Sequence, residues 1–323
     1  MNKIISKFVF SGLLLFPLNI WAASCCGGGS ASSLILPKLA TAMVDYSLSY
    51  ENYDGFWNTE GSHIDDPAGS DLNQFRTNLG FAYRLADRWQ ASITAPYVWN
   101  KNEYPGIDSR THGFGDSTVG FWYENFDDVK CVWKVTNWKS LIPAVYFGST
   151  LTIPTGESAY SGEVDNSFDV TGRGSYRLDA NLFIEKTIYP WSLSLQMSYG
   201  KYLERSVNQE FGRYVDPYDK QLGDRISTGL SVGYTYFLES LSTLTFMTSL
   251  NDLRERDGEI NGKKDPSILG FKKQSIGVST SYTTPALDWI YKLSFNRALH
   301  GNGRGENFPT TDIITLGVSY VIR

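Results

Sequence analysis

Three cysteines in 323 residues are too few for a disulfide framework of the kind that staples small secreted domains. Beyond the N-terminal leader there is no run of about 18 consecutive apolar residues, so no helix is expected to cross a bilayer, and any later crossing must be made by strands. Histidine is also scarce, at three copies, and positive charge is not in excess: 29 Lys and Arg face 34 Asp and Glu, for a formal charge of -5. That balance argues against a nucleic-acid partner. No shift in composition marks a linker. What the chain does have is glycine (30) and aromatics (20 Tyr, 18 Phe, 9 Trp), the make-up of an aromatic-rich β protein.

The N-terminus carries an address. Lys3 and Lys7 precede an apolar stretch from Phe8 to Trp21, followed by Ala22, Ala23 and Ser24, which is the layout of a secretory signal over residues 1-24. The stretch is short for an anchor and contains Pro17 and Asn19, so export is the expectation. Residues 25-42 then read as a Gly-rich periplasmic segment and 43-323 as the body of the protein.

That body alternates. In FRTNLGFAYRLADRWQASITAPYVW (Phe75 to Trp99), one parity reads Phe75, Thr77, Leu79, Phe81, Tyr83, Leu85, then Trp89, Ile93, Tyr97, Trp99; the other reads Arg76, Asn78, Gly80, Arg84, then Gln90, Ser92, Thr94. Strict alternation predicts strand, tight turn, strand. A soluble sandwich would bury the apolar face, whereas a membrane barrel turns it to lipid and the polar face to its lumen. The pattern recurs, with strands expected near residues 43-52, 74-85, 89-99, 116-126, 140-153, 169-185, 191-201, 225-237, 243-252, 274-282, 289-299 and 312-322. About twelve strands, an even number, joined alternately by long polar loops and short turns, describe an all-β antiparallel transmembrane barrel in the outer membrane, with both termini periplasmic. The link from Asp127 to Lys139 is too long for that rule and leaves a strand boundary open. Trp89, Trp138, Trp191 and Trp289 each open a strand after a short turn, as an interfacial girdle would; Tyr50, Tyr97, Trp99, Tyr199 and Phe295 supply the opposite girdle. Sorting the sixth strand by parity puts Val170, Gly172, Gly174, Tyr176, Leu178, Ala180, Leu182 and Ile184 outside, leaving Arg173, Ser175, Arg177, Asp179 and Asn181 inside. Pro96 and Pro143 should mark bulges or strand ends, because a closed barrel has no edge to excuse a missing N–H.

GFGDSTVGFWYE (Gly113 to Glu124) and GSTLTIPTGE (Gly148 to Glu157) resemble the Gly-Asp strand opening and the Pro-Thr-Gly strand ending of outer-membrane barrels of the meta-pathway phenol-degradation type, a transporter family. The resemblance implies a barrel that passes small organic molecules, and no particular substrate. Read as local chemistry alone, the same residues are glycines for close approach and Pro-Gly loop starts. The chain departs from the usual barrel terminus by ending in Tyr320, Val321, Ile322 and Arg323.

Residues of the inward parity are the candidate pore lining: Arg76, Asn78, Arg173, Arg177, Asp179, Gln196, Arg225 and Lys292. Their arginines suit anionic or polar aromatic solutes; the competing reading is a ladder of ion pairs, with Asp45, Glu124 and Asp179, that braces the wall. A barrel of this size should leave a narrow passage partly filled by side chains or by residues 27-39. No enzyme is expected, since His63, His112 and His300 each lack a serine two residues away and read as loop histidines. Cys25, Cys26 and Cys131 should share the periplasmic side. Cys25 is a candidate for acylation, and the three thiols for Cu or Zn; no other cofactor is expected. The expected partners are outer-membrane lipid and lipopolysaccharide and a small organic solute. The alternative to a channel is a barrel that serves as a binding or assembly platform for a periplasmic partner at its cysteine-bearing face.

Overall fold

A computed structural model of the chain describes residues 34–58, 60–127, 131–162, 164–240, 242–265, 267–305 and 309–323. The leader and Cys25 and Cys26 lie outside the described residues, and with them the expectations of cleavage and acylation.

Twelve antiparallel strands form the wall: β1 (Ala42–Trp57), β2 (Asp71–Ala86), β3 (Trp89–Tyr104), β4 (Ser117–Glu124), β5 (Ala144–Ile153), β6 (Arg177–Ile188), β7 (Trp191–Tyr202), β8 (Arg225–Phe237), β9 (Thr243–Glu255), β10 (Phe271–Thr283), β11 (Trp289–Ala298) and β12 (Pro309–Ile322). Each pairs with its sequence neighbours, and β12 returns to pair with β1, so every strand has two partners and the sheet has no edge. Closure satisfies every backbone ladder from within, the condition for crossing lipid. Short turns and the N-terminal segment lie at one rim. At the other rim stand the long loops, where Arg205–Glu210, Arg213–Gln221, Glu259–Ile260 and Lys263–Lys264 make a separate small sheet.

The alternation sorts as its chemistry requires. Phe75, Leu79, Phe81 and Tyr83 are exposed on the outer face, where a barrel meets lipid, while Arg76 and Ala82 are buried inside. At the short-turn rim, Trp89 packs on Tyr123 with ring centroids 5.0 Å apart, Trp191 on Tyr234 at 4.5 Å and Trp289 on Tyr320 at 4.8 Å. These amphipathic rings are paired across neighbouring strands at one level, as an interfacial girdle.

Two boundaries differ from the sequence reading. Strand β6 begins at Arg177 rather than at 169, because residues 169–176 belong to a loop that folds over the barrel mouth; Val170, expected on the lipid face, is therefore buried. Strand β5 begins at Ala144, after the link has formed a two-residue strand, Cys131–Val132, parallel to the end of β6, and a 3-10 turn, Trp138–Leu141. Trp138 therefore sits in that turn, exposed, rather than opening a strand. Trp133 takes a place at this rim that parity did not predict, packing on Tyr189 and Phe237. Pro143 lies just before β5, and Pro96 sits where the partner of β3 changes from β4 to the loop strand Ile107–Phe114, its carbonyl accepting the Gly115 N–H. Both prolines thus fall where a ladder hydrogen bond is not required of them.

Candidate functional site: the lumen and its mouth

The short-turn end of the lumen is apolar, unlike the wholly polar interior expected from alternation. Residues 34–41 enter it: Leu36, Ala40, Met43, Ala82, Ile290 and Val321 make one buried cluster with Leu34 against it, and Ile35 joins Trp122, Phe126, Ala144, Tyr146 and Phe183 in another. Burying a Leu or Ile side chain is worth about 1.5 to 3 kcal/mol, so this segment is held as core rather than draped. Its polar atoms are also met. The Leu36 N–H donates to Gln90 Oε1 at 2.5 Å, Lys38 Nζ reaches Glu124 Oε2 at 2.7 Å, and Arg84 joins Glu124 Oε1 at 3.0 Å while donating to the Ala40 carbonyl. Glu124 has no exposed surface, and two cations are what make a buried carboxylate tolerable. Trp122 can lie across the lumen because β5 carries glycine opposite: a Cβ on Gly148 would stand 2.5 Å from the indole.

Toward the long-loop end, the arginines gather. Arg177 Nε donates to Asp179 at 2.9 Å and its Nη1 to the Tyr202 hydroxyl at 3.2 Å; Tyr202 donates in turn to Glu255 at 3.1 Å, and Arg173 Nη2 meets the same carboxylate at 2.5 Å. The Arg173 and Arg177 guanidinium groups both lie over the Tyr202 ring, at 5.5 and 5.3 Å. Arg225 is buried beside them at the start of β8. The result is a layer of charge-assisted bonds spanning loop, β6, β7 and β9.

The two family-like motifs build the seat for this layer. Asp116, from the first, accepts the N–H of Gly156, from the second, at 3.2 Å and the N–H of Arg173 at 2.7 Å. Thr155 donates to the Gly115 carbonyl at 2.6 Å, and Thr171 donates to the Phe114 carbonyl at 2.7 Å. Asn100 holds the same loop through the Val170 carbonyl at 3.1 Å and accepts from Gln74, whose own oxygen takes a hydrogen bond from Arg76. Above the arginines opens a cavity of about 810 Å³ lined by Tyr160, Phe211 and Phe271 together with Arg173, Arg213 and Lys220, and also by Asp165 and Glu210. The Lys220 ammonium and the Arg205 guanidinium both face the Tyr160 ring, at 5.3 and 4.8 Å.

Every expected pore-lining residue is on the inner side. Arg177, Asp179, Gln196 and Arg225 are buried there; Asn78 donates to Ser47 Oγ at 3.3 Å; Lys292 pairs with Asp45 at 2.5 Å, and Ser319 donates to the same oxygen. Arg173 arrives from the loop rather than from a strand. Sequence reasoning missed Trp122, Tyr202 and Glu255. Tyr202 and Glu255 lie beyond the residues at which their strands were taken to end, and Trp122 sits on inward parity, where aromatics were not sought. Cys131 lies at the short-turn rim, and burial, with the Glu185 charge, pushes its thiol up, away from a ready thiolate.

A family model described as "Putative MetA-pathway of phenol degradation" matches residues 89–243. The resemblance read from the two motifs is borne out. Both lie inside the matched span, and they meet in space. An outer-membrane channel of Pseudomonas putida F1 shares the fold, with a TM-score of 0.65 over 90% of this chain and 97% of that one at 14% identity. The β domain of the Bordetella autotransporter BrkA aligns more loosely, at 0.49 over 88% of this chain and 100% of that one, with 12% identity. No curated protein matches the sequence. The chain is an outer-membrane β-barrel; in such barrels the rim of short turns is the periplasmic one.

Proposed function

We propose that the barrel is a channel for passive uptake of small organic molecules, and that anionic or polar aromatic solutes are its substrate class. The observation that carries this reading is the cavity at the extracellular mouth, in which aromatic rings and cationic groups share one wall directly above the arginine layer. An aromatic carboxylate fits both halves of that wall, its ring against Tyr160 or Phe271 and its charge toward Arg173 or Lys220. A volume of about 810 Å³ lies in the usual range for small-molecule sites. Passage then meets the arginine layer and, below it, the Leu34 to Ala40 segment, which must shift for a solute to leave toward the periplasm. On this reading the segment is a gate, held by Lys38 and Arg84 around Glu124.

The test is conductance of the folded, full-length barrel in a planar bilayer, with benzoate as a blocking solute. Small anion-preferring currents, reduced by benzoate and enlarged in Lys38→Met, are the expected result. A heat-modifiable, folded barrel without current in both wild type and Lys38→Met would overturn the channel and leave the platform for a periplasmic partner.

A further inference from the structure

His63 and His300 are far apart in sequence, yet their rings stack with centroids 3.9 Å apart and planes within 5°. His63 comes from the first long loop and His300 from the last, so they meet above the seam where β12 closes on β1. Asp54, near the upper end of β1, adds a carboxylate, its Oδ2 lying 3.3 Å from His300 Nε2. One ligand atom from each of the three residues falls within 4.8 Å of the others. The Asp54 Oδ1 is buried and has no hydrogen-bond partner among the described residues. Asp65 lies 3.5 Å from His63 Nδ1, and burial together with the Asp54 charge pushes the Asp66 carboxyl up. Cationic balance comes from Arg297, whose guanidinium is 3.8 Å from Asp54 and 3.5 Å from Asp312.

We propose that Asp54, His63 and His300 form an extracellular site for a divalent transition metal of the zinc type, which staples the first and last loops across the closing seam. Two imidazoles and a carboxylate are a donor set for Zn(II), Co(II) or Ni(II), with water completing the tetrahedron. Calcium and magnesium, which prefer all-oxygen shells, are not its ligands. One ion cannot lie in the planes of two rings stacked face to face, so binding must fan them apart. His300, half exposed on a three-residue turn, is the ring placed to swing. His63 is the better anchored, its Nε2 lying 3.0 Å from the Thr310 hydroxyl.

The experiment titrates the full-length folded barrel in detergent with Co(II), read by its visible spectrum, and repeats it with Zn(II) by competition. Expected are one Co(II) per barrel, a spectrum without the thiolate charge-transfer band that Cys131 would give, and a raised melting temperature. His63→Ala and His300→Ala should each lose about a hundredfold or more in affinity, since removing even a partner behind a ligand costs about 10- to 100-fold. His112→Ala should bind as wild type, and Arg297→Gln, which removes the competing cation, should bind more tightly. Heat-modifiable gel mobility establishes that each variant is folded. Failure of wild type to bind, wild-type affinity in either histidine variant, or a thiolate band lost in Cys131→Ser would each overturn the site.

Discussion

The backbone N–H of Arg173 donates to the Asp116 carboxylate at 2.7 Å, although the two residues are 57 positions apart. This one bond ties the Gly-Asp motif to the loop that carries an arginine into the lumen. A Cβ on Gly172 would collide with the Asp116 carboxylate, so the close run of the loop backbone past it requires glycine there.

Removing that acceptor should release the loop. Asp116→Ala leaves the Gly156 and Arg173 N–H groups unsatisfied, at a cost of about 1 to 3 kcal/mol. Protease cleavage within residues 158–170 should appear in the folded variant, and conductance should rise as Arg173 leaves Glu255. Resistance equal to wild type would mean that the threonine bonds hold the loop without Asp116.

The packing of Trp122 on Gly148 gives a second test. Gly148→Ala drives a methyl group against the indole and should destabilise the barrel by about 1 to 3 kcal/mol, with a change in tryptophan emission. Trp122→Leu in the same chain should recover most of the loss. Additive effects in the double variant would mean that the clash is not the cause.

What the sequence made legible was whatever period two controls. Twelve strands, their order and the lipid and lumen faces follow from alternation, and the parities read for β2 and β3 match the structure. Loops have no period, so the inward fold of residues 166–173 was invisible; the apparent alternation of Val170, Gly172, Gly174 and Tyr176 extended β6 wrongly. Alternation also says only which way a side chain points, so it could not show that the inward-pointing Met43, Trp122 and Phe183 make an apolar seat for the N-terminal segment. Nor can it pair His63 with His300, because their meeting depends on barrel closure.

The faces themselves can be tested by neighbouring substitutions. Leu79 is exposed on the outer wall, so Leu79→Arg places a charge in lipid and should cost about 2 to 4 kcal/mol; Asn78→Arg enters the polar part of the lumen and should fold nearly normally. Denaturant midpoints in lipid vesicles give the comparison. Equal losses would mean that β2 is buried on both faces, which a lipid-facing wall does not allow.

The arginine layer offers both bracing and selectivity, and the two can be separated in one pair of residues. Arg177 and Asp179 are both buried and bonded at 2.9 Å, so Arg177→Ser leaves a carboxylate in a confined space and should cost about 3 to 5 kcal/mol. Arg177→Ser/Asp179→Ser should regain much of it, because the stranded charge is gone. Selectivity follows net charge instead: the single variant removes a positive group and should lower the anion-to-cation permeability ratio, while the double variant, neutral overall, should return it toward wild type. Melting temperature and reversal potential in a salt gradient, measured on the same preparations, read the two effects independently. Coupled stability with an unchanged reversal potential in Arg177→Ser would make the layer a brace alone and remove the electrostatic support for an anion-preferring channel.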